Sequence, residues 1–115
     1  MNAAIDTAIV FTTRMEELAD FYAVGLGLAD PNHSPGHIGF QVGPVYLGFD
    51  QVDRTAAAES AVTLWFRVDD IDAVYKRFVS LGAPSVYPPV DQPWGDRLAA
   101  VLDLDGNRIG LSRRN

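Results

Sequence analysis

Apolar positions follow the same succession twice along this chain. Thr7-Ala8-Ile9-Val10-Phe11 is a β-branched and apolar run, and Met15, Leu18, Phe21 and Tyr22 then recur at the interval of one helix face. Leu26-Gly27-Leu28 closes the unit. Thr63-Leu64-Trp65-Phe66-Arg67 repeats the run, Ile71, Val74, Tyr75 and Phe78 repeat the helix face, and Leu81-Gly82-Ala83 repeats the close. Each copy reads as strand, helix and glycine stop. Such a duplication predicts two similar modules, with binding or chemistry in the groove between them.

The pattern also places the remaining elements. In the first copy a strand is expected over Ala4 to Phe11, with Thr12-Thr13 capping a helix whose first turn is acidic and which Gly25 and Gly27 end. Pro31 to Gly36 has loop composition. Ile38 to Val42 and Val45 to Phe49 follow as strands turned at Gly43-Pro44, with one further short strand around Leu28. Asp50 to Ser60 lacks strand pattern and is expected to link modules over approximately 1–54 and 60–115. In the second copy the strand is expected over Val62 to Val68, Asp69 or Asp70 caps the helix, and Gly82 stops it. Ser85-Val86-Tyr87 is a short strand before Pro88-Pro89. Leu98 to Leu102 and Arg108 to Ser112 close the module, joined by the turn Asp103-Leu104-Asp105-Gly106-Asn107.

Composition narrows the classes of function. A chain of 115 residues at 48% hydrophobic content is expected to form one compact domain. No apolar run approaches the roughly 20 residues that span a bilayer, and Met1 to Asp6 does not read as a secretion signal. A cytoplasmic protein is expected, with no membrane partner. The absence of cysteine removes disulfides, thiolate ligands and a cysteine nucleophile. The net charge of -6 and nine scattered Lys and Arg argue against nucleic acid. Solubility explains that charge, and so does a groove that favours a cationic ligand.

Phe21-Tyr22 before Leu26-Gly27-Leu28, Val68-Asp69-Asp70 at the second helix, Pro93-Trp94-Gly95-Asp96-Arg97, and Asp103-Leu104-Asp105-Gly106-Asn107-Arg108-Ile109 carry a resemblance. In that order and spacing, across essentially the whole chain, they resemble the vicinal oxygen chelate superfamily of glyoxalase I, bleomycin-resistance proteins and extradiol dioxygenases. The resemblance implies an α+β fold of two tandem βαβββ modules, a curved mixed sheet around a cavity, and a homodimer.

It also implies a divalent metal held by His, Glu or Gln on the inner faces of equivalent strands, which stabilises an enediolate or activates dioxygen. Counting from the motifs, the ligand positions of this chain fall on Thr7, on Thr63, on Gly110, and near Leu47 or Gly48. None supplies a carboxylate or an imidazole. The resemblance therefore carries over the fold and cavity, and no metal cofactor is expected.

Other chemistry has little support. His33 and His37 are separated by Ser34-Pro35-Gly36, which disfavours a helix, and are expected as solvent-exposed loop histidines. Asp50 and Asp53 offer carboxylates at the rim of the groove or are polar loop residues. No serine sits in a nucleophile elbow, and Gly25-Leu26-Gly27 ends a helix where a phosphate loop would open one.

What remains for the cavity is aromatic and apolar. Trp65 shares a strand face with Thr63, and Ile9 shares one with Thr7. Trp94 lies on a loop that borders the cavity in the resembled family, and Asp96 and Arg97 follow it as ligand contacts or as a surface ion pair. Tyr46, Phe40 and Phe49 are further candidates that depend on register. The expected function is a metal-independent small-molecule-binding protein that sequesters or senses an aromatic or cationic metabolite or antibiotic. Its expected site is Thr7, Ile9, Thr63, Trp65, Trp94, Asp96, Arg97 and Gly110. The alternative is a glyoxalase- or dioxygenase-like enzyme with an atypical metal site at Asp50 or His37, or with acid-base chemistry at Asp96.

Overall fold

The computed structural model describes Ile5 and residues 7–54 and 63–115. The start of the first expected strand and most of the expected linker lie outside the described residues. The chain divides into two compact units, Met1–Ala56 and Ala57–Asn115. The first contains β1 (Thr7–Thr12), α1 (Met15–Leu26), β2 (Asn32–Ser34), β3 (His37–Val42) and β4 (Val45–Gln51). The second contains β5 (Leu64–Arg67), α2 (Ile71–Ser80), β6 (Ser85–Asp91), β7 (Asp96–Leu102) and β8 (Arg108–Arg114). Both are βαβββ units of an α+β fold. The sheets run β1-β4-β3-β2 and β5-β8-β7-β6, each with its first strand parallel to its last and the other pairs antiparallel.

In each unit the helix covers one face of its sheet. In the first, Leu18, Ala19, Phe21 and Tyr22 are buried on α1, and Ile38, Phe40, Leu47 and Phe49 are buried on β3 and β4. Phe49 is fully buried, with the Tyr22 ring centroid 4.9 Å away and the Phe40 ring edge-on at 6.4 Å. Burial of such a side chain is worth about 1.5–3 kcal/mol. Phe40 and Phe49 are therefore core, and Tyr46, one residue out of phase with Phe49, is not. In the second unit Ile71, Val74 and Phe78 meet the alternation of Ala99, Val101, Ile109 and Leu111.

Several boundaries differ from the sequence expectation for identifiable reasons. Thr12-Thr13 do not cap α1: Thr12 is buried at the end of β1, and the helix begins after Arg14 without a side-chain cap of its own. Gln51 of β4 serves instead, its Oε1 accepting from the Met15 N–H at 2.9 Å and its Nε2 donating to the Thr13 carbonyl at 2.8 Å. Gly25 lies inside the helix, and Gly27, at φ +73°, forms the left-handed cap. No strand forms at Leu28; the edge strand falls on Asn32–Ser34, inside the expected loop. Pro88-Pro89 do not end β6, an edge strand whose pairing with β7 shifts register on both sides of Tyr87.

Two expected devices hold. Asp70 caps α2, accepting from the Ala73 N–H at 3.1 Å. Asp103, buried at the β7–β8 turn, accepts from the Asp105 and Asn107 N–H groups at 2.8 Å each and from Asn107 Nδ2 at 2.9 Å.

Candidate functional site

The other face of each sheet carries no helix, and the residue pairs across the strands determine what stands there. In the first sheet Thr7 pairs with Tyr46, Ile9 with Gly48 and Phe11 with Asp50, while His37 pairs with Asp50 and Gly39 with Gly48. All lie out of phase with the buried Ile38, Phe40, Leu47 and Phe49. Two glycines let larger neighbours lie flat. A methyl group at Gly39 would come within 1.8 Å of Tyr46 Oη, and one at Gly48 within 2.7 Å of Ile9 Cδ1 and 2.8 Å of His37 Cε1.

On that floor a hydrogen-bonded chain is assembled. His37 Nδ1 is 2.5 Å from Asp50 Oδ1, and His37 Nε2 is 2.7 Å from Tyr46 Oη, with the two rings nearly parallel at 14°. Because a carboxylate only accepts, Nδ1 carries a proton toward Asp50. In neutral His37, Nε2 then accepts the Tyr46 hydroxyl proton. The His37 and Asp50 side chains are 25% and 34% exposed, so the chain is open at one side.

His37 is thus no solvent-exposed loop residue: it stands in β3, and only His33, in β2, is exposed. Asp50 is likewise a strand residue, committed to His37. The signal for this was present in the sequence. Counted outward from the turn at Gly43-Pro44, positions 37 and 50 are equidistant, and Ile38 and Phe40 pointing inward leave His37 on the opposite face.

The second sheet carries an aromatic platform. Trp65 pairs with Gly110 across β5 and β8, and a methyl at Gly110 would lie 2.4 Å from both Cδ2 and Cε3 of the indole. The ring therefore covers the glycine, yet Trp65 remains 48% exposed. Thr63 is half-buried just before β5. Trp94, 67% exposed, donates from Nε1 to Asp96 Oδ2 at 3.1 Å, and the other Asp96 oxygen is 3.9 Å from Arg114 Nε.

Arg97 is turned elsewhere. It is in phase with the helix-facing Ala99 and Val101 and donates from Nε and Nη2 to the two oxygens of Asp72 on α2, at 3.1 and 2.9 Å. Its Nη1 is 3.3 Å from Asp91 of β6. The hydrogen bond from Arg97 holds the Asp72 carboxyl below the usual carboxylate range, and hydrogen bonds from Asn115 and then Arg97 do the same for Asp91. The guanidinium pKa is raised in return, by Asp72 first. Arg97 clamps helix to sheet.

The residues at the four ligand positions do not fit a divalent ion. Leu47 is buried under α1, Thr7 and Thr63 offer hydroxyls, and the space above Gly48 and Gly110 is taken by Ile9, His37 and Trp65. Among the described residues no three His, Cys, Asp or Glu side chains gather as a metal site. A surface cleft of about 410 Å³ lies on the opposite, helix side of the first sheet, against Glu16, Asp20, His33 and Phe40.

Two βαβββ units, each with a helix on one sheet face and polar or aromatic residues on the other, define the class of paired-module proteins. The sequence matches the Glyoxalase/Bleomycin resistance protein/Dioxygenase superfamily over residues 4–111, and the chain belongs to that superfamily. Among solved structures it is similar to a glyoxalase/bleomycin resistance protein/dioxygenase family enzyme from Burkholderia phytofirmans PsJN, with TM-score 0.83, 19% identity, and 98% and 100% of the two chains covered. A glyoxalase/bleomycin resistance protein from Albidiferax ferrireducens T118 gives TM-score 0.83 at 20% identity, covering 96% and 98%. TioX from Micromonospora sp. ML1 gives 0.75 at 20%, covering 98% and 100%. These likenesses show the fold. Over 70 residues, 61% of this chain, it is 33% identical to the uncharacterized protein Mb0911c of Mycobacterium bovis. That stretch spans 46% of Mb0911c, so the chain matches less than half the length of this curated relative. No helix among the described residues is long and apolar enough to cross a membrane.

Proposed function

We propose that this protein binds a planar small molecule on the helix-free face of its second sheet, without a metal, as a homodimer in the cytoplasm. The observation that carries the reading is Trp65, an indole laid over Gly110 with half its surface open. A large apolar side chain in a sheet ordinarily turns to the core; this one forms a flat, prepositioned stacking surface at little entropic cost. Sequestering or sensing a ligand fits that arrangement, since it requires affinity without reacting groups.

Fluorescence tests the proposal. Planar aromatic compounds titrated into the protein are expected to quench the Trp65 emission saturably, and Trp65→Ala is expected to abolish binding. Quenching that survives that substitution, or none across a broad panel, overturns it.

The Asp50–His37–Tyr46 chain favours a second reading, an enzyme that moves a proton. A carboxylate orients the imidazole, and the imidazole takes up the Tyr46 hydroxyl proton as Tyr46 Oη receives one from a bound substrate. Proton exchange of a bound carbon acid, lost in Tyr46→Phe, is the distinguishing measurement.

A further inference from the structure

The charges around Trp65 oppose the sign of the whole chain. Arg67 stands two residues along β5 from Trp65 and therefore on the same face, in register with Ser112 of β8. Arg108 stands two residues before Gly110 on β8, also on that face. Both guanidiniums are on exposed residues, and neither has an ion pair or side-chain hydrogen bond among the described residues. Asp96, the carboxylate that β7 places on this face, is engaged by Trp94 and Arg114. A protein of net charge -6 thus presents, on the two strands that hold its open indole, Arg67 and Arg108 without an ion-pair partner among the described residues, with Asp69 exposed two residues beyond Arg67, past the end of β5.

We propose that this face selects planar aromatic carboxylates, the ring stacking on Trp65 and the carboxylate pairing with Arg67. The inference rests on the stacking reading above and names its ligand class. Successive same-face residues are about 7 Å apart along a strand, a span that a stacked ring bearing a carboxylate and one hydrogen bond bridges. A guanidinium presents a planar fork of donors to two carboxylate oxygens, and the Ser112 hydroxyl beside it adds a further donor. A cationic ring would meet Arg67 and Arg108 as like charges, while a neutral one would stack and leave Arg67 unpaired.

The test uses the full chain carrying Trp94→Phe, so that Trp65 is the remaining tryptophan and its indole Nε1–H resonance reports binding. That resonance is titrated with 2-naphthoate, 2-naphthamide and 2-naphthylmethylammonium. The naphthoate is expected to bind about tenfold more tightly than the amide, a charge-assisted hydrogen bond's worth, and the ammonium more weakly than either. Raised salt and Arg67→Gln are each expected to bring naphthoate to the affinity of the amide. Equal binding of acid and amide, or tighter binding of the ammonium, overturns the anion preference while leaving the stacking platform standing. A Trp65 resonance that none of the three moves overturns the platform itself. Because Arg67 is exposed, an unchanged far-ultraviolet circular dichroism spectrum of Arg67→Gln is expected, and Arg108→Gln, expected to weaken naphthoate only in low salt, gives a second reading of the same field.

Discussion

His37 and Asp50, separated by one hairpin, meet with Nδ1 and Oδ1 2.5 Å apart, and the same imidazole holds Tyr46 Oη at 2.7 Å through its other nitrogen. The contact arises from pairing geometry: both residues occupy the helix-free face at opposed positions of β3 and β4. It also selects the tautomer of the neutral imidazole. The neutral ring carries its proton on Nδ1, and nitrogen-resolved NMR of His37 is expected to show that tautomer. Asp50→Asn is expected to weaken it.

Energetic coupling within this chain follows. Tyr46→Phe removes one hydrogen bond and is expected to cost about 1 kcal/mol in urea unfolding, as a half-exposed neutral bond typically does. In His37→Ala the same Tyr46→Phe change is expected to cost almost nothing. Additive losses in that double-mutant cycle would show that the two side chains do not support one another.

The glycines under these side chains have a steric role. In Gly110→Ala the new methyl would lie 2.4 Å from the Trp65 ring, and the indole must lift. The expected cost is about 1–3 kcal/mol, with a red-shifted Trp65 emission as the ring enters water. Gly39→Ala is expected to displace Tyr46 from His37, because its methyl would come 1.8 Å from Oη.

Acid should loosen the second module through Arg97. The Asp72 and Asp91 carboxyls are held below their ordinary value near 3.8. Their contribution is therefore fully present above the unfolded value and lost as pH falls through the folded ones. Wild-type stability is expected to drop below pH 3.8, and Arg97→Gln to flatten that drop and to return the Asp72 titration, followed by carboxyl NMR, toward 3.8.

Asp103 is expected to be the costliest polar residue to replace. It is 3% exposed and accepts three hydrogen bonds that organise the β7–β8 turn. Asp103→Ala leaves the two backbone donors unpaired, at about 2–4 kcal/mol by the usual penalty for such groups. Thermal denaturation would show this as the largest loss among the turn residues.

The duplicated apolar pattern determined by itself two helices and two similar modules, and the motifs set along it carried the resemblance to the superfamily. Local periodicity and glycine or aspartate caps act over a few residues, and those are written in the chain. That resemblance placed Trp94 beside a cavity and set the family's ligand positions on Thr7, Thr63 and Gly110, residue types without a carboxylate or an imidazole. Tertiary structure alone decided how the faces are used. Strand pairing brought Gln51 to the start of α1, drew Arg97 to Asp72 and away from Trp94, and joined Asp50, His37 and Tyr46 on one floor. A hydrogen bond depends on fractions of an ångström and on which side of a sheet each donor stands, and a one-residue change of register reverses that side. The same dependence explains why Trp65, read from the sequence as a cavity residue, became an open platform flanked by two arginines only when Gly110 was placed beneath it.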